Sequence, residues 1–203
     1  MAEKKDWTGN GNSIWKTLGA SNHTEKEREN DDYYATDPDA AEWLLKLEKI
    51  EGPIWECASG EDHLAKVFKE HGYEVRTSDI IGRTPTTEIY DFLKCRDTGL
   101  KTNIITNPPY RFSTQFVEKA MDVIADGYKV CMFLKLQFLE GKARRDLFKK
   151  YPPKTVWVSS SRLMCAKNGD FETMIAGGGS AVAYIWLVFE KGYKGETVLK
   201  WFN

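Results

Sequence analysis

From residue 37 onward, apolar positions fall into short clusters of two alternating kinds. Asp37-Pro38 reads as a helix start, because proline's fixed φ suits the first turn. Ala41, Leu44, Leu45 and Leu47 follow as an apolar stripe at helical spacing. The short apolar run 53–57 predicts a buried strand. Ser59-Gly60 then precedes a second helix through Leu64, Val67 and Phe68, which Gly72 stops. Strands are predicted at 74–80, in a short piece near 88–92, and at 103–106. Phe116, Ala120, Val123 and Ile124 keep helical spacing, and 130–134 is a fully apolar strand. A helix over 144–150 stops at Pro152-Pro153. Two strands at 155–158 and 181–189 follow, separated by a long Gly-rich loop. Strands alternating with helices predict an α/β domain: a mostly parallel sheet of seven strands with helices on both faces. No helix joins the last two strands, so the last strand is expected to run antiparallel.

Residues 1–32 break this pattern. They are polar, carry Gly9, Gly11 and Gly19, and contain a charge run at 25–29. They are expected to form a polar N-terminal arm ahead of a domain over 33–203. One reading is a loosely docked arm, whose few apolar groups cannot offset its ordering entropy. The other is a segment that folds over a ligand or substrate on the anchors Trp7, Ile14, Trp15 and Leu18.

Composition narrows the classes. The chain has 203 residues, 41% hydrophobic, which fits one globular domain with a sizeable core. With 29 basic against 30 acidic residues the formal charge is −1, which excludes a uniformly basic coat but not local patches. Residues 139–167 hold eight basic and two acidic residues, and residues 23–42 the reverse, eight acidic and two basic. The basic stretch is a candidate phosphate-contacting surface, with a solvated helix face as the plain alternative. No apolar run reaches the roughly 18 residues of a membrane span, and residues 1–6 lead into no apolar stretch, so neither a membrane partner nor a secretory signal is expected. Cys57, Cys95, Cys131 and Cys165 are widely spaced, and His23, His63 and His71 lack metal-ligand spacing. No disulfide, no metal and a cytoplasmic location are therefore expected.

Two stretches carry chemistry. The first is Glu56-Cys57-Ala58-Ser59-Gly60, between a predicted strand and a predicted helix. In a doubly wound sheet such a loop binds ligands at the carboxyl ends of the strands. Gly60 lets the backbone approach a ligand, Ala58 and Ser59 keep the crevice open, and Glu56 suits a positive charge. A single glycine followed by the acids Glu61 and Asp62 is wrong for a pyrophosphate. Asp79, at the tip of the next strand, is placed to take a ribose hydroxyl. Ile80 can face an adenine ring. Asp91-Phe92 offers a carboxylate for an exocyclic amine beside an apolar wall. A ribose, an adenine and a cationic centre without phosphate describe S-adenosyl-L-methionine. Taken singly, each acid is as well explained by a helix cap or a solvated loop.

The second stretch is Asn107-Pro108-Pro109-Tyr110, directly after a predicted strand and hence on the same sheet edge. Two prolines stiffen the backbone and remove two N–H donors, leaving carbonyl oxygens and the Asn107 side chain. Those acceptors suit a planar amino group, and Tyr110 offers a face for a ring to stack on. A proline turn ending a strand is the plain alternative.

These residues resemble the S-adenosylmethionine-dependent amino-methyltransferases, in particular DNA N6-adenine methyltransferases, including short phage-encoded members. The resemblance covers residues 33–190 and implies a Rossmann-like sheet. It implies catalytic roles for Asn107, Pro108, Pro109 and Tyr110. It implies cofactor contacts at Glu56, Ala58, Ser59 and Gly60, at Asp79 and Ile80, at Asp91 and Phe92, and at Asn107. Tyr34 and Thr36 resemble the family segment that lies over the methionine end of the cofactor. DNA is the implied partner, and Tyr110, Lys135, Arg144, Arg145 and Arg162 are its candidate contacts. The loop over 159–180 is the expected substitute for a recognition domain, since 13 residues follow residue 190. The chain departs from the family at Asp62, where a second glycine is frequent. RNA guanine, cytosine N4, a protein glutamine amide, or a nucleic-acid-binding protein that binds the cofactor without activity stay open as alternatives.

Overall fold

The computed structural model describes residues 34–167, 169, 171–176 and 182–203. The expected arm over 1–32, Asn168 and the glycines at 177–179 lie outside the described residues. The chain builds β1 (Tyr34–Thr36), α1 (Pro38–Leu47), β2 (Ile54–Glu56), α2 (His63–Glu70), β3 (Val75–Asp79), β4 (Glu88–Ile89) and β5 (Asn103–Thr106). There follow α3 (Ser113–Val123), β6 (Lys129–Lys135), α4 (Lys142–Lys150), β7 (Thr155–Ser159), β8 (Cys165–Lys167), α5 (Phe171–Ala176), β9 (Tyr184–Glu190) and β10 (Val198–Phe202).

Local chemistry explains the boundaries. Asp37 caps α1 by accepting the Asp39 N–H at 3.1 Å, and Pro38 opens the first turn. Gly72 follows α2 at φ +83°, a conformation costly for other residues.

Eight strands form one sheet in the order β10-β7-β9-β6-β5-β2-β3-β4. Every neighbour pair is parallel except those made by β9, which runs antiparallel to both β6 and β7. The expected α/β sheet with its antiparallel strand is present. The antiparallel strand is followed by β10, an edge strand that pairs parallel with β7 and makes the sheet one strand wider than the sequence predicted. The Gly-rich loop contains β8, which pairs with β1 as a separate two-stranded ribbon, and the short helix α5.

Alternation along the strands separates two cores. Trp55, Ile104, Val130, Met132 and Leu134 pack with α3 and with Leu147 of α4. Their neighbours Ile54, Ile105, Cys131 and Phe133 pack on the opposite face with α1 and α2. Strands buried on both faces read as continuous apolar runs, as 130–134 does. Each large side chain buried here contributes about 1.5–3 kcal/mol.

The topology decides where ligands can bind. From β2 the chain moves outward to β3 and β4, then returns to β5 on the other side of β2. That reversal opens a crevice at the carboxyl ends of β2 and β5. Register pairs Ile54 with Asn103 and Trp55 with Ile104, so Glu56 and the segment after Thr106 end side by side.

Candidate active site

A cavity of about 490 Å³ occupies this crevice. Glu56, Ala58 and Ser59 line it from the loop after β2, Asp79 and Ile80 from the end of β3, and Asp91 and Phe92 from the segment after β4. Asn107, Pro108, Pro109 and Tyr110 line it from the segment after β5, and Tyr34 and Thr36 from β1. Thirteen residues singled out in the sequence thus share one cavity.

The polar groups are arranged with vacancies for hydrogen bonds. Glu56 is buried at 2% exposure, and its Oε2 has no partner among the described residues. Burial first, then the nearby charge of Asp62, pushes its carboxyl well above the ordinary range. Such an upward shift disfavours the charged carboxylate, and a cation brought against it would work the other way. Ser59 Oγ is likewise buried without a partner. Asp79 is oriented by two backbone donors, Gly60 N–H at 3.0 Å to Oδ2 and Ile81 N–H at 3.1 Å to Oδ1. Gly60 therefore acts through Asp79, outside the cavity lining. Asp91 accepts the Leu93 N–H at 3.1 Å and meets Lys94 at 3.1 Å. Phe92 is held edge-on to Trp55 with ring centres 5.1 Å apart.

At the second stretch, Asn107 Nδ2 donates to Thr36 Oγ1 at 2.9 Å and to Cys165 Sγ at 3.6 Å, while Oδ1 is buried without a partner. The Tyr110 hydroxyl donates to Tyr184 at 3.2 Å, and burial pushes the Tyr110 phenol well up. Ser113 Oγ donates to the Tyr110 carbonyl at 3.0 Å, tying the tetrapeptide to the start of α3.

Asp62 follows the loop after β2 directly at the start of α2. Its φ is +64°, the left-handed conformation a glycine would supply. Its carboxylate is outside the cavity lining and accepts from Thr84 at 2.8 Å, Thr86 at 3.1 Å and Thr87 at 3.3 Å. The acid thus keeps the glycine's backbone shape.

The basic candidates spread wider than expected. Lys135 Nζ stands 4.2 Å from the centre of the Tyr110 ring. Arg162 lies apart, in a second depression with Leu136, Gln137, Leu139, Glu140 and Ala183. Arg144 folds back on its own loop, donating to the Glu140 carbonyl at 2.6 Å and to the Gln137 carbonyl at 3.3 Å. Arg145 is exposed beside Asp146. None of these four lines the cavity.

Sequence reasoning missed His63, Arg83, Arg111 and Phe112, all of which line the cavity. Arg111-Phe112 continues the tetrapeptide directly, so adjacency was the available signal. His63 required knowing which face of α2 meets the crevice. Cys57 is buried, and burial raises its thiol well above its ordinary range, against a nucleophilic role. Among the described residues no cluster could hold a metal ion, and no helix is long and apolar enough to cross a membrane.

No family model and no curated protein sequence matches the chain. Solved structures do. One, assigned to the class I S-adenosylmethionine-dependent methyltransferases of Listeria monocytogenes, is 13% identical over 81% of this chain and 63% of its own, with a TM-score of 0.53. The type IIG restriction endonuclease BpuSI is 11% identical over 84% of this chain and 27% of its own, TM-score 0.59. A modification subunit assigned to a type I restriction enzyme of Vibrio vulnificus is 11% identical over 85% of this chain and 47% of its own, TM-score 0.56. The chain spans less than two thirds of the length of each. It shares with them a Rossmann-like α/β fold.

Proposed function

We propose that this chain moves a methyl group from S-adenosylmethionine to an exocyclic amine, with adenine N6 in DNA as the substrate. The observation that carries the reading is the pairing, in one cavity, of the desolvated Glu56 carboxyl with the unpartnered Asn107 Oδ1. When bound, S-adenosylmethionine supplies an electrophilic methyl on a sulfonium. Glu56 and Ser59 suit the charged methionine end, and Tyr34 and Thr36 lie over it. Asp79 offers its remaining lone pairs to the ribose, while Ile80, Asp91 and Phe92 frame the adenine.

On the substrate side, Asn107 Oδ1 and the Pro108 carbonyl accept the two N–H bonds of the amine. Accepting both draws the nitrogen lone pair out of ring conjugation and aims it at the methyl. The N–C bond forms as the C–S bond breaks, and the resulting ammonium loses its proton to water, so no strong base is required. Tyr110 provides the stacking face for a flipped base. Positioning and exclusion of water supply most of the acceleration. The names of two similar structures refer to restriction systems, which favours DNA over RNA or protein. Lys135, Arg145 and Arg162 would meet phosphates along the strand ends beyond the cavity, while Arg144 serves the carbonyls of its own loop.

Labelled-methyl transfer to DNA, RNA and protein, run in parallel with nucleoside mass spectrometry, tests this. N6-methyladenine is the expected product. Asn107→Ala should cut the rate by at least about a hundredfold while leaving cofactor binding largely intact. Transfer by that variant at the wild-type rate would overturn the site, and labelled guanine or glutamine would overturn the substrate.

A further inference from the structure

An asparagine amide is a donor at one end and an acceptor at the other, and a half-turn exchanges them. Whether the site can receive an amino group depends on which end faces the cavity. The tetrapeptide backbone does not settle this, because rotation of the side chain leaves the prolines where they are. The answer lies in a part of the fold outside the main sheet. β1 and β8 form a separate ribbon, and its register places Thr36 directly opposite Cys165. Both are buried, at 4% and 3% exposure. Both receive the same Asn107 Nδ2, at 2.9 Å and 3.6 Å. The other end of the amide, Oδ1, is left buried and unpartnered. A ribbon joining two distant stretches of chain thus engages only the donor end of the amide.

We infer that Thr36 and Cys165 are positioning residues that lock the Asn107 amide with its oxygen toward the cavity, so that the site selects a group with two N–H bonds to give. This rests on the proposed methyl transfer for its catalytic consequence. The lock itself is a property of the protein alone. A flipped amide would present two N–H donors to an amine and repel it. A carbonyl or ring nitrogen, which the locked oxygen repels, would then be accepted.

Two measurements on the full chain separate the lock from the reaction. The first is the Asn107 side-chain amide resonance in a ¹⁵N-labelled sample, assigned by its disappearance in Asn107→Asp. In the wild type at least one Nδ2 proton should exchange with water about tenfold or more slowly than an exposed amide. Thr36→Val, which keeps the volume and removes the acceptor, should erase much of that protection, and Thr36→Ser should restore it. Thr36→Val/Cys165→Ala should erase it fully. The second is kinetic. Thr36→Val should lower kcat about five- to tenfold, the size of one neutral hydrogen bond, and the double variant further, with Thr36→Ser close to wild type. Loss confined to the KM for cofactor would instead assign Thr36 to cofactor binding alone. Equal proton exchange in wild type and double variant would overturn the lock, whatever the activity. A wild type with protected amide protons but no transfer to any amine would keep the lock and overturn the proposed function.

Discussion

Glu56 carries its carboxyl into a fully buried place at the end of β2, and burial, with Asp62 and Asp79 adding like charge, raises its pKa well above the ordinary value. The sign of the pH effect follows. An acid whose folded pKa lies above its unfolded value, about 4.3, binds more protons folded than unfolded as pH rises past that value. The contribution of Glu56 to the stability of the ligand-free protein is therefore fully present below its unfolded pKa, and is lost as pH climbs through the raised pKa. Glu56→Gln should remove this loss, so thermal unfolding of the variant and wild type should differ more at pH 8 than at pH 5. A bound cation reverses the balance by favouring the ionised form. Affinity for S-adenosylmethionine should therefore rise with pH in the wild type and be flat in Glu56→Gln, read by calorimetry in buffers of different ionisation enthalpy. The place of this acid at a strand end, just ahead of a glycine, was legible in the sequence. Its desolvation was not, because burial depends on what the rest of the chain lays over it.

Among the elements, the turn into α2 departs most from expectation. Asp62 substitutes for a glycine by adopting the left-handed backbone and spends its side chain on three threonine hydroxyls from the segment after β3. That clamp ties the loop after β2 to the segment bearing Ile80 and Arg83. Asp62→Ala should destabilise by about 2–3 kcal/mol, since hydrogen bonds to a charged group are worth about 1.5–3 kcal/mol each and do not add fully. Asp62→Gly should be milder by about 1 kcal/mol, because only the backbone strain is relieved. Both should weaken cofactor binding, with denaturation curves and calorimetry as the checks. Elements that escaped the sequence share a physical reason. β1 and β8 have three residues each, too few for a period to show. β10 leaves Val198, Leu199 and Trp201 exposed, so it lacks the alternation of a half-buried strand.

For the whole molecule, the strand reversal beside β2 gathers the chemistry. The carboxyl edge runs from Arg162 past Lys135 to Asn107, Glu56 and Asp79, in the spatial order of β7, β6, β5, β2 and β3 with β9 between the first two. If nucleic acid lies along this edge, binding must release counterions. Arg162→Ala should then reduce the slope of log affinity against log salt by about 1. Arg144→Ala should change that slope little, because its guanidinium already serves the Glu140 and Gln137 carbonyls. Fluorescence anisotropy with a labelled oligonucleotide across a salt series measures both.

Helices, central strands, the proline tetrapeptide and the acids at the strand ends were readable along the chain because each is decided by residues a few positions apart. A cap, a period or a stiff turn needs no distant partner. Strand order, the depth of Glu56, the direction of Asp62 and the Thr36–Asn107–Cys165 contact emerged from the fold. The Asp62–Thr84 bond joins residues 22 apart, and the Asn107 bonds to Cys165 and Thr36 join residues 58 and 71 apart, so their meeting is a matter of packing and not of local preference.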